Sequence, residues 1–163
     1  MSIRYFLRLI HHPKCPGDLN LLSGRDLETS RYNSIGKGIP YITGASNIGE
    51  SIIVNRWTEY PVTVSHLGDL LITCKGTVGT MAINNIGNIH IARQIMSISP
   101  ILCNADYIRF VIESQMDSLQ KEARSMIPGI SREHILGLVF PLPPLNEQAR
   151  IVNRLKELEA LLN

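Results

Sequence analysis

Two stretches of the sequence contain residues found in enzyme sites, and neither set is complete. A metal-dependent nuclease site would need a second carboxylate between Asp69 and Lys75, where Thr73 stands instead. Gly36-Lys37-Gly38 lacks the Ser or Thr that follows the lysine of a phosphate loop, and Tyr41 stands where a dinucleotide loop needs its third glycine. The sequence also contains no Asn/Asp-Pro-Pro-Tyr/Phe methylation motif and no glycine-rich cofactor loop. It therefore predicts a non-catalytic protein with no cofactor.

Lys75 precedes a short glycine turn, Gly76-Thr77-Val78-Gly79. Such a turn lets backbone N–H groups approach a phosphate closely, and Lys75 adds a positive charge beside it. Lys75 and Thr77 are therefore predicted to contact a nucleic-acid backbone. An ordinary β-hairpin turn with a solvated lysine remains an open alternative.

Arg93 and Gln94 follow a β-rich run that contains His90. Arginine and glutamine have forked hydrogen-bonding groups that suit the edges of guanine and adenine in the major groove of DNA. The two residues are therefore candidates for reading bases directly. A single histidine between isoleucines is more often a hydrogen-bonded core residue than a contact, so His90 is the weaker candidate.

Composition is that of a globular protein. The 163 residues are 44% hydrophobic and 18% charged, which fits one domain with its own core. The formal net charge of +2 neither requires nor excludes a nucleic-acid partner. Any basic surface must arise from local clustering.

The cysteines, histidines and N-terminal residues predict a cytoplasmic protein without a metal site. Cys15, Cys74 and Cys103 are widely separated, which favours reduced thiols. The adjacent pair His11-His12 has no second spaced pair and predicts no metal site. The apolar run at the N-terminus is interrupted by arginines, and no stretch approaches the roughly 20 apolar residues of a membrane helix.

Several short β-rich runs and one long helix must position these residues. The helix is predicted over Asn104 to Met126, with Asn104 as its cap and an apolar residue every three or four positions. This stripe is typical of a core-facing helix. The strands are predicted at four apolar runs: Ile39–Thr43, Ile52–Val54, Val62–Val64 and Asp69–Cys74.

The C-terminal part of the chain predicts a capped turn, a strand, a proline segment and a helix. Ser131 is placed to cap the turn Arg132–Leu136, and Leu138–Phe140 reads as a buried strand. Prolines at 141, 143 and 144 prevent both ladder pairing and helix. Asn146 is the predicted N-cap of the last helix. Four residues of that helix have the spacing of a coiled-coil interface and are predicted to pair with another helix: Ile151, Leu155, Leu158 and Leu162.

The segment ILGLVFPLPPLNEQARIV, residues 135–152, resembles a junction found in the specificity (S) subunits of type I restriction-modification systems. In that family the junction joins a target recognition domain to a conserved helical region. The stretch that begins SGRDLETSRYNSIGKGIPYITG at Ser23 resembles the entry to the recognition domain, and Gly76–Gly79 resembles its glycine turn. The resemblance extends from Ser23 to Leu162.

The resemblance implies an α+β fold in which a compact, sheet-rich recognition domain with one main helix is followed by an amphipathic coiled-coil-type helix. Residues 1–23 would be a lead-in, 24–142 the recognition domain and 143–163 the start of the conserved helix. The loop around the end of the main helix would face DNA. The DNA contacts expected besides Lys75, Thr77, Arg93 and Gln94 are Ser46, Asn47, Arg124, Ser125, Ser131 and Arg132.

The expected function is sequence-specific recognition of a half-site in double-stranded DNA. Methyltransferase subunits, and through them a restriction subunit, would be the protein partners. Because an S subunit usually carries two recognition units, this chain is expected to be a fragment or a half-subunit that forms a homodimer or pairs with a second half. The alternative is a protein-interaction module that docks through its last helix and does not bind DNA.

Overall fold

Eight strands form two four-stranded sheets in the computed structural model, which describes residues 19–49, 51–123 and 129–161. The first sheet has the order β1-β8-β5-β6 and is antiparallel throughout. The second has the order β3-β2-β7-β4, in which β2 and β7 are parallel. The strands are β1 Leu19–Ser23, β2 Ile39–Ile42, β3 Trp57–Thr58, β4 Val64–Ser65, β5 Leu70–Thr73, β6 Met81–Ile83, β7 Ile89–Ile91 and β8 Ile95–Pro100.

The first sheet lies between the second sheet and the long helix α1, Ala105–Ala123. Leu70 and Ile72 of β5 pack in a cluster with α1, whereas Leu71 packs with residues of the second sheet. Successive strand residues point to opposite faces, so a strand covered on both faces must be apolar at every position. This is why the uninterrupted apolar run of β5 is a central strand.

Helix α1 begins after Asn104, whose side-chain Oδ1 accepts a hydrogen bond from Tyr107 N at 3.1 Å. The predicted cap is therefore confirmed, and Ile108, Ile112 and Leu119 of the predicted stripe are buried against the first sheet. The predicted end of the helix, Met126, lies outside the described residues.

Helix α2, Arg132–Leu136, has the predicted cap, because Ser131 Oγ accepts from His134 N at 3.3 Å. The strand predicted at Leu138–Phe140 is wrong, since these residues form no ladder. Phe140 is buried in a cluster between α1 and the last helix, Val139 is 59% exposed, and Pro141 has no N–H to offer a ladder. The run at Ile52–Val54 is not a strand either, and only Ile52 forms an isolated bridge, to Ile48.

Helix α3, Leu145–Ala160, begins earlier than predicted, with Pro144 rather than Asn146 at the N-cap position. Pro144 O accepts the first backbone bonds of the helix, from Glu147 N and Gln148 N. The side chain of Gln148 is 1% exposed. Its Nε2 donates to Pro143 O, and its Oε1 accepts from Asn104 N, both at 2.8 Å. One buried amide therefore joins the beginning of α3 to the beginning of α1.

The first half of α3 packs on α1. Ile151 and Val152 are buried with Tyr107, Phe110 and Val111 of α1, and Leu155 packs partly against the same cluster. Ion pairs at the edge of this contact join Lys156 to Asp106 at 2.7 Å and Arg109 to Glu159 at 3.5 Å. Leu158 is 40% exposed, and Leu162 lies outside the described residues.

Residues 19–23, assigned to a lead-in by the sequence, form β1 and pair along their length with β8. No helix in the described part of the chain combines the length and apolarity needed to span a membrane.

Candidate nucleic-acid interface

The ends of strands from both sheets meet on one side of the molecule. β2 and β7 are parallel and end together at Ile42 and Ile91, while β5 ends at Thr73 beside the start of β8 at Ile95. The loops that leave these strands therefore lie close together, and the segment before α2 joins them through Ile130 N, which donates to Cys74 O at 2.9 Å. We call this surface the loop face and define it as residues 24–26, 43–49, 74–80, 92–94 and 129–132.

Backbone contacts fix these loops to one another. Cys74 N donates to Gln94 O at 2.8 Å, and Gly24 N donates to Ile95 O at 3.0 Å. Gly129 has a φ of +147°, and a Cβ built there would lie 2.6 Å from Cys74 O. Because only glycine tolerates both conditions, the approach of residues 129–132 to the glycine turn depends on this residue.

The predicted glycine turn closes the hairpin between β5 and β6. Gly79 N donates to Thr73 O at 2.9 Å, and Gly76 and Gly79 both have positive φ. Lys75 and Thr77 are exposed on this turn, and Lys75 forms no ion pair with any residue that the structure describes. The turn thus presents a lysine side chain at the surface.

Arg93 and Gln94 are also exposed on the loop face. A Cβ built on Gly44 would lie 2.6 Å from Gln94 Oε1, which shows that the glutamine side chain lies over the 43–49 loop. Arg93 contacts Asp26 at two points, with Arg93 N donating to Oδ1 at 3.1 Å and Arg93 Nε lying 2.8 Å from Oδ2. Asp26 was not predicted from the sequence, because it reaches Arg93 only through the fold.

Ser46 and Asn47 differ in what they can contact. Ser46 is exposed, whereas Asn47 is 1% exposed. Asn47 Oδ1 accepts from both N and Oγ1 of Thr43, and its Nδ2 donates to Ile53 O and Asn55 Oδ1. These four bonds use the whole capacity of the amide, so Asn47 organises the loop and leaves Ser46 as its contact candidate.

Two of the remaining predicted contacts, Ser131 and Arg132, lie at the start of α2. Arg132 is exposed, and its guanidinium donates to Leu21 O on β1. Ser131 is engaged in the α2 cap. Arg124 and Ser125 lie outside the described residues.

His90 is a core residue. It is fully buried, its Nδ1 lies 3.2 Å from Thr63 N, and its Nε2 lies 2.9 Å from Arg25 O. A backbone N–H can only donate and a carbonyl can only accept, so the ring is neutral with its proton on Nε2. Burial lowers the pKa of His90 accordingly.

Asp69 and Cys74 have side chains of types that can act in catalysis, but both are buried in the fold. The Asp69 carboxylate accepts from Ser65 Oγ, Ser97 Oγ and His66 N, at the end of β5 away from the loop face. Burial raises the pKa of the Cys74 thiol, which disfavours the nucleophilic thiolate. Within the described residues, no three His, Cys, Asp or Glu side chains are grouped to hold a metal ion.

Charge on the loop face is predominantly positive. Its described loops carry the basic side chains Arg25, Lys75, Arg93 and Arg132 and the single acidic side chain Asp26. Arg25 was not predicted from the sequence, because its neighbours form no motif. The face therefore offers exposed cations and a forked amide to an anionic, hydrogen-bonding ligand.

Comparison with known proteins identifies the family to which the chain is similar. Residues 19–163 match the family model of the type I restriction modification DNA specificity domain. The type I restriction enzyme MjaX specificity subunit of Methanocaldococcus jannaschii is 28% identical over 149 residues, which cover 87% of this chain and 34% of that protein. The chain thus spans about a third of that relative's length.

Solved structures share the fold. The HsdS subunit of Thermoanaerobacter tengcongensis matches 90% of this chain and 36% of its own length, with a TM-score of 0.78 and 24% identity. The S subunit of the type I restriction-modification system from M. genitalium matches 91% of this chain and 38% of its own length, with a TM-score of 0.66 and 15% identity. The α+β recognition-domain fold with its C-terminal helix is therefore confirmed, and the chain belongs to the type I restriction modification DNA specificity domain family.

Proposed function

We propose that this chain recognises a half-site in double-stranded DNA through its loop face, as the recognition part of a type I specificity subunit. The observation that carries the proposal is the meeting of exposed cationic and forked side chains on loops that are fixed to one another by backbone hydrogen bonds. Membership of a DNA specificity domain family supports it.

The side chains have different parts in this proposal. Lys75 and Thr77, on the glycine turn, contact phosphates and set the position of the domain on the duplex. Arg93 and Gln94 read base edges, since their groups match guanine and adenine in the major groove. Ser46 and Arg132 lie beside them as further contacts.

The proposed partners are the modification subunits and, through them, the restriction subunit of a type I system. Methyl transfer and cleavage belong to those subunits in this proposal. One similar solved structure, 22% identical with a TM-score of 0.77, concerns complex assembly and conformational transition of the type I restriction-modification system. Its match covers 97% of this chain and 43% of that one.

A test is the salt dependence of DNA binding by the Lys75→Ala variant. Each phosphate contact releases counterions, so loss of one lowers the slope of log affinity against log salt by about one unit for every duplex sequence alike. Binding should be measured by fluorescence anisotropy from low salt upward, because one domain neutralises few phosphates.

Lys37→Ala is the matched control. Lys37 is an exposed lysine at the opposite end of β2, where it pairs with Glu59 at 3.1 Å. Its loss should leave the slope unchanged. Equal slopes for wild type and Lys75→Ala would remove Lys75 from the interface, and an absence of salt-dependent binding by the wild type would refute the proposed function.

A second candidate is a protein-interaction module that docks through α3. It is favoured by Leu158 and Leu161, which are 40% and 79% exposed on that helix. The wild-type binding measurement separates the two, because such a module would show no salt-dependent affinity for DNA.

A further inference from the structure

The carboxylate of Asp26 contacts both the backbone and the side chain of Arg93. One carboxylate oxygen accepts from the Arg93 backbone N–H at 3.1 Å, and the other lies 2.8 Å from Nε of the same residue. A carboxylate bound at these two points restricts the side-chain torsions between them. The arginine is thus held in one direction on the loop face before any ligand arrives.

This contact uses Nε and leaves the outer edge of the guanidinium open. Among the described residues, no acceptor contacts the two terminal nitrogens of Arg93, and 69% of the side chain is exposed. The terminal nitrogens carry the fork that donates to O6 and N7 of guanine. The backbone beneath is also fixed, since the neighbouring carbonyl Gln94 O accepts from Cys74 N at 2.8 Å.

Stability gives little reason for this ion pair to exist. Exposed pairs contribute little to folding, and both partners here are substantially exposed. A negative charge on a surface that meets phosphates weakens binding to every DNA sequence alike. An aspartate in this position therefore lowers the affinity for all DNA sequences, and its benefit is greater selectivity among them.

We propose that Asp26 is a positioning residue for base recognition, which orients the Arg93 fork toward a guanine and disfavours binding to other sequences. The inference rests on the proposed function, since it requires that the loop face contacts DNA. Asp26 itself does not touch the base.

The experiment selects preferred sequences for the full chain from a library of duplexes with a random segment at low salt. The preference at each base pair is then compared among wild type, Asp26→Asn, Arg93→Ala and the double variant. Arg93→Ala should abolish the preference for guanine at one position. Asp26→Asn should reduce that same preference roughly tenfold, while affinity for random duplex stays equal or rises.

Two further measurements distinguish a positioning role from direct contact with the base. The double variant should be no worse than Arg93→Ala alone, because Asp26 acts only through Arg93. Replacement of the selected guanine by 7-deazaguanine, which lacks the N7 acceptor, should reduce wild-type affinity and leave Arg93→Ala unaffected.

The matched control is Glu59→Gln, which removes an ion pair with Lys37 of similar exposure at the opposite end of β2. It should leave every base preference unchanged.

The inference is overturned if Asp26→Asn keeps the guanine preference, alters a different position or adds to the effect of Arg93→Ala. It also fails, with DNA recognition intact, if Arg93→Ala alters no position. If the wild type enriches no sequence and shows no salt-dependent binding, the proposed function fails with it.

Discussion

At the scale of single residues, buried polar side chains hold the loops and strands from which the loop face is built. His90 connects β7 to the backbone at Thr63 and Arg25, and Asn47 connects the start of the 43–49 loop, at Thr43, to the backbone at Ile53. A buried polar group stabilises only when its hydrogen bonds are complete, and its loss leaves its partners unsatisfied. These two residues therefore have testable effects on folding.

Stability should fall in acid partly because of His90. Its pKa is lowered in the folded state, mainly by burial, so the unfolded chain takes up the proton at a higher pH. The stability contributed by the neutral ring is fully present above the unfolded pKa of about 6.5 and is lost as pH falls from there toward the folded pKa. The slope from this group is at most about 1.4 kcal/mol per pH unit.

Urea unfolding between pH 8 and pH 5 measures this effect. His90→Asn should be less stable than wild type near pH 8 and should lose less stability on acidification. Asn47→Ala provides the control, because it removes buried hydrogen bonds but no titratable group and should keep the wild-type slope. An unchanged slope in His90→Asn would contradict the assignment of a neutral His90.

Asn47→Ala should destabilise the protein by about 2–3 kcal/mol, because it leaves Thr43 N and Ile53 O without their partner. Ser46→Ala, at the exposed neighbouring position, should change the free energy of unfolding by less than about 0.5 kcal/mol. Chemical denaturation of both variants decides the point. If the two substitutions cost the same, Asn47 does not organise the loop.

At the scale of elements, α3 has two unlike halves. Gln148, Ile151 and Val152 fix its first half to α1, whereas Leu158 and Leu161 remain exposed toward its end. The heptad spacing on its own suggested one continuous surface for a partner helix. In the structure Ile151 is used by the domain itself, and pairing with another helix stays a prediction for the second half.

Ile151→Ala should therefore cost about 2–4 kcal/mol in the free energy of unfolding, since it opens a cavity in a buried cluster. Leu158→Ala should cost less than about 1 kcal/mol, because Leu158 is already 40% exposed. Thermal and denaturant unfolding give both values. Sedimentation of Leu158→Asp would show in parallel whether the second half mediates self-association, and a large loss of stability in Leu158→Ala would contradict this division of α3.

At the scale of the whole molecule, binding and chemistry are expected to reside in different chains. The loop face offers cations and hydrogen-bonding groups, while Asp69 and Cys74 are engaged inside the fold. The polar residues Ser65, Asp69, Asn84 and Ser97 bond to one another in the interior. The Asp69 carboxylate is thus a structural hydrogen-bond acceptor.

The purified chain should neither methylate nor cleave DNA when S-adenosylmethionine, magnesium or ATP is supplied. The reason is the absence of a methylation motif in the sequence and the structural use of Asp69. Transfer of labelled methyl groups to duplex DNA and gel analysis of plasmid integrity test the two activities. A reproducible signal that Asp69→Asn abolishes would overturn this expectation.

The sequence by itself determined the features that depend on neighbours along the chain. The caps at Asn104 and Ser131, the apolar stripe of α1, the turn at Gly76–Gly79 and the apolar run of β5 all follow from local hydrogen bonding and side-chain periodicity. The junction motif at residues 135–152 also identified the family.

Only the tertiary structure decided the contacts between residues far apart in the sequence. The pairing of Asp26 with Arg93, the amide of Gln148 bonded to Asn104, and the internal use of Asn47 and Ile151 require loops and helices to be brought together in space. The missing strand at Leu138–Phe140 has the same origin, because Leu138 and Phe140 pack in a helix cluster instead of a sheet, while Val139 stays exposed. A local pattern indicates which residues can be buried, whereas the fold decides which of them are buried and against what partner.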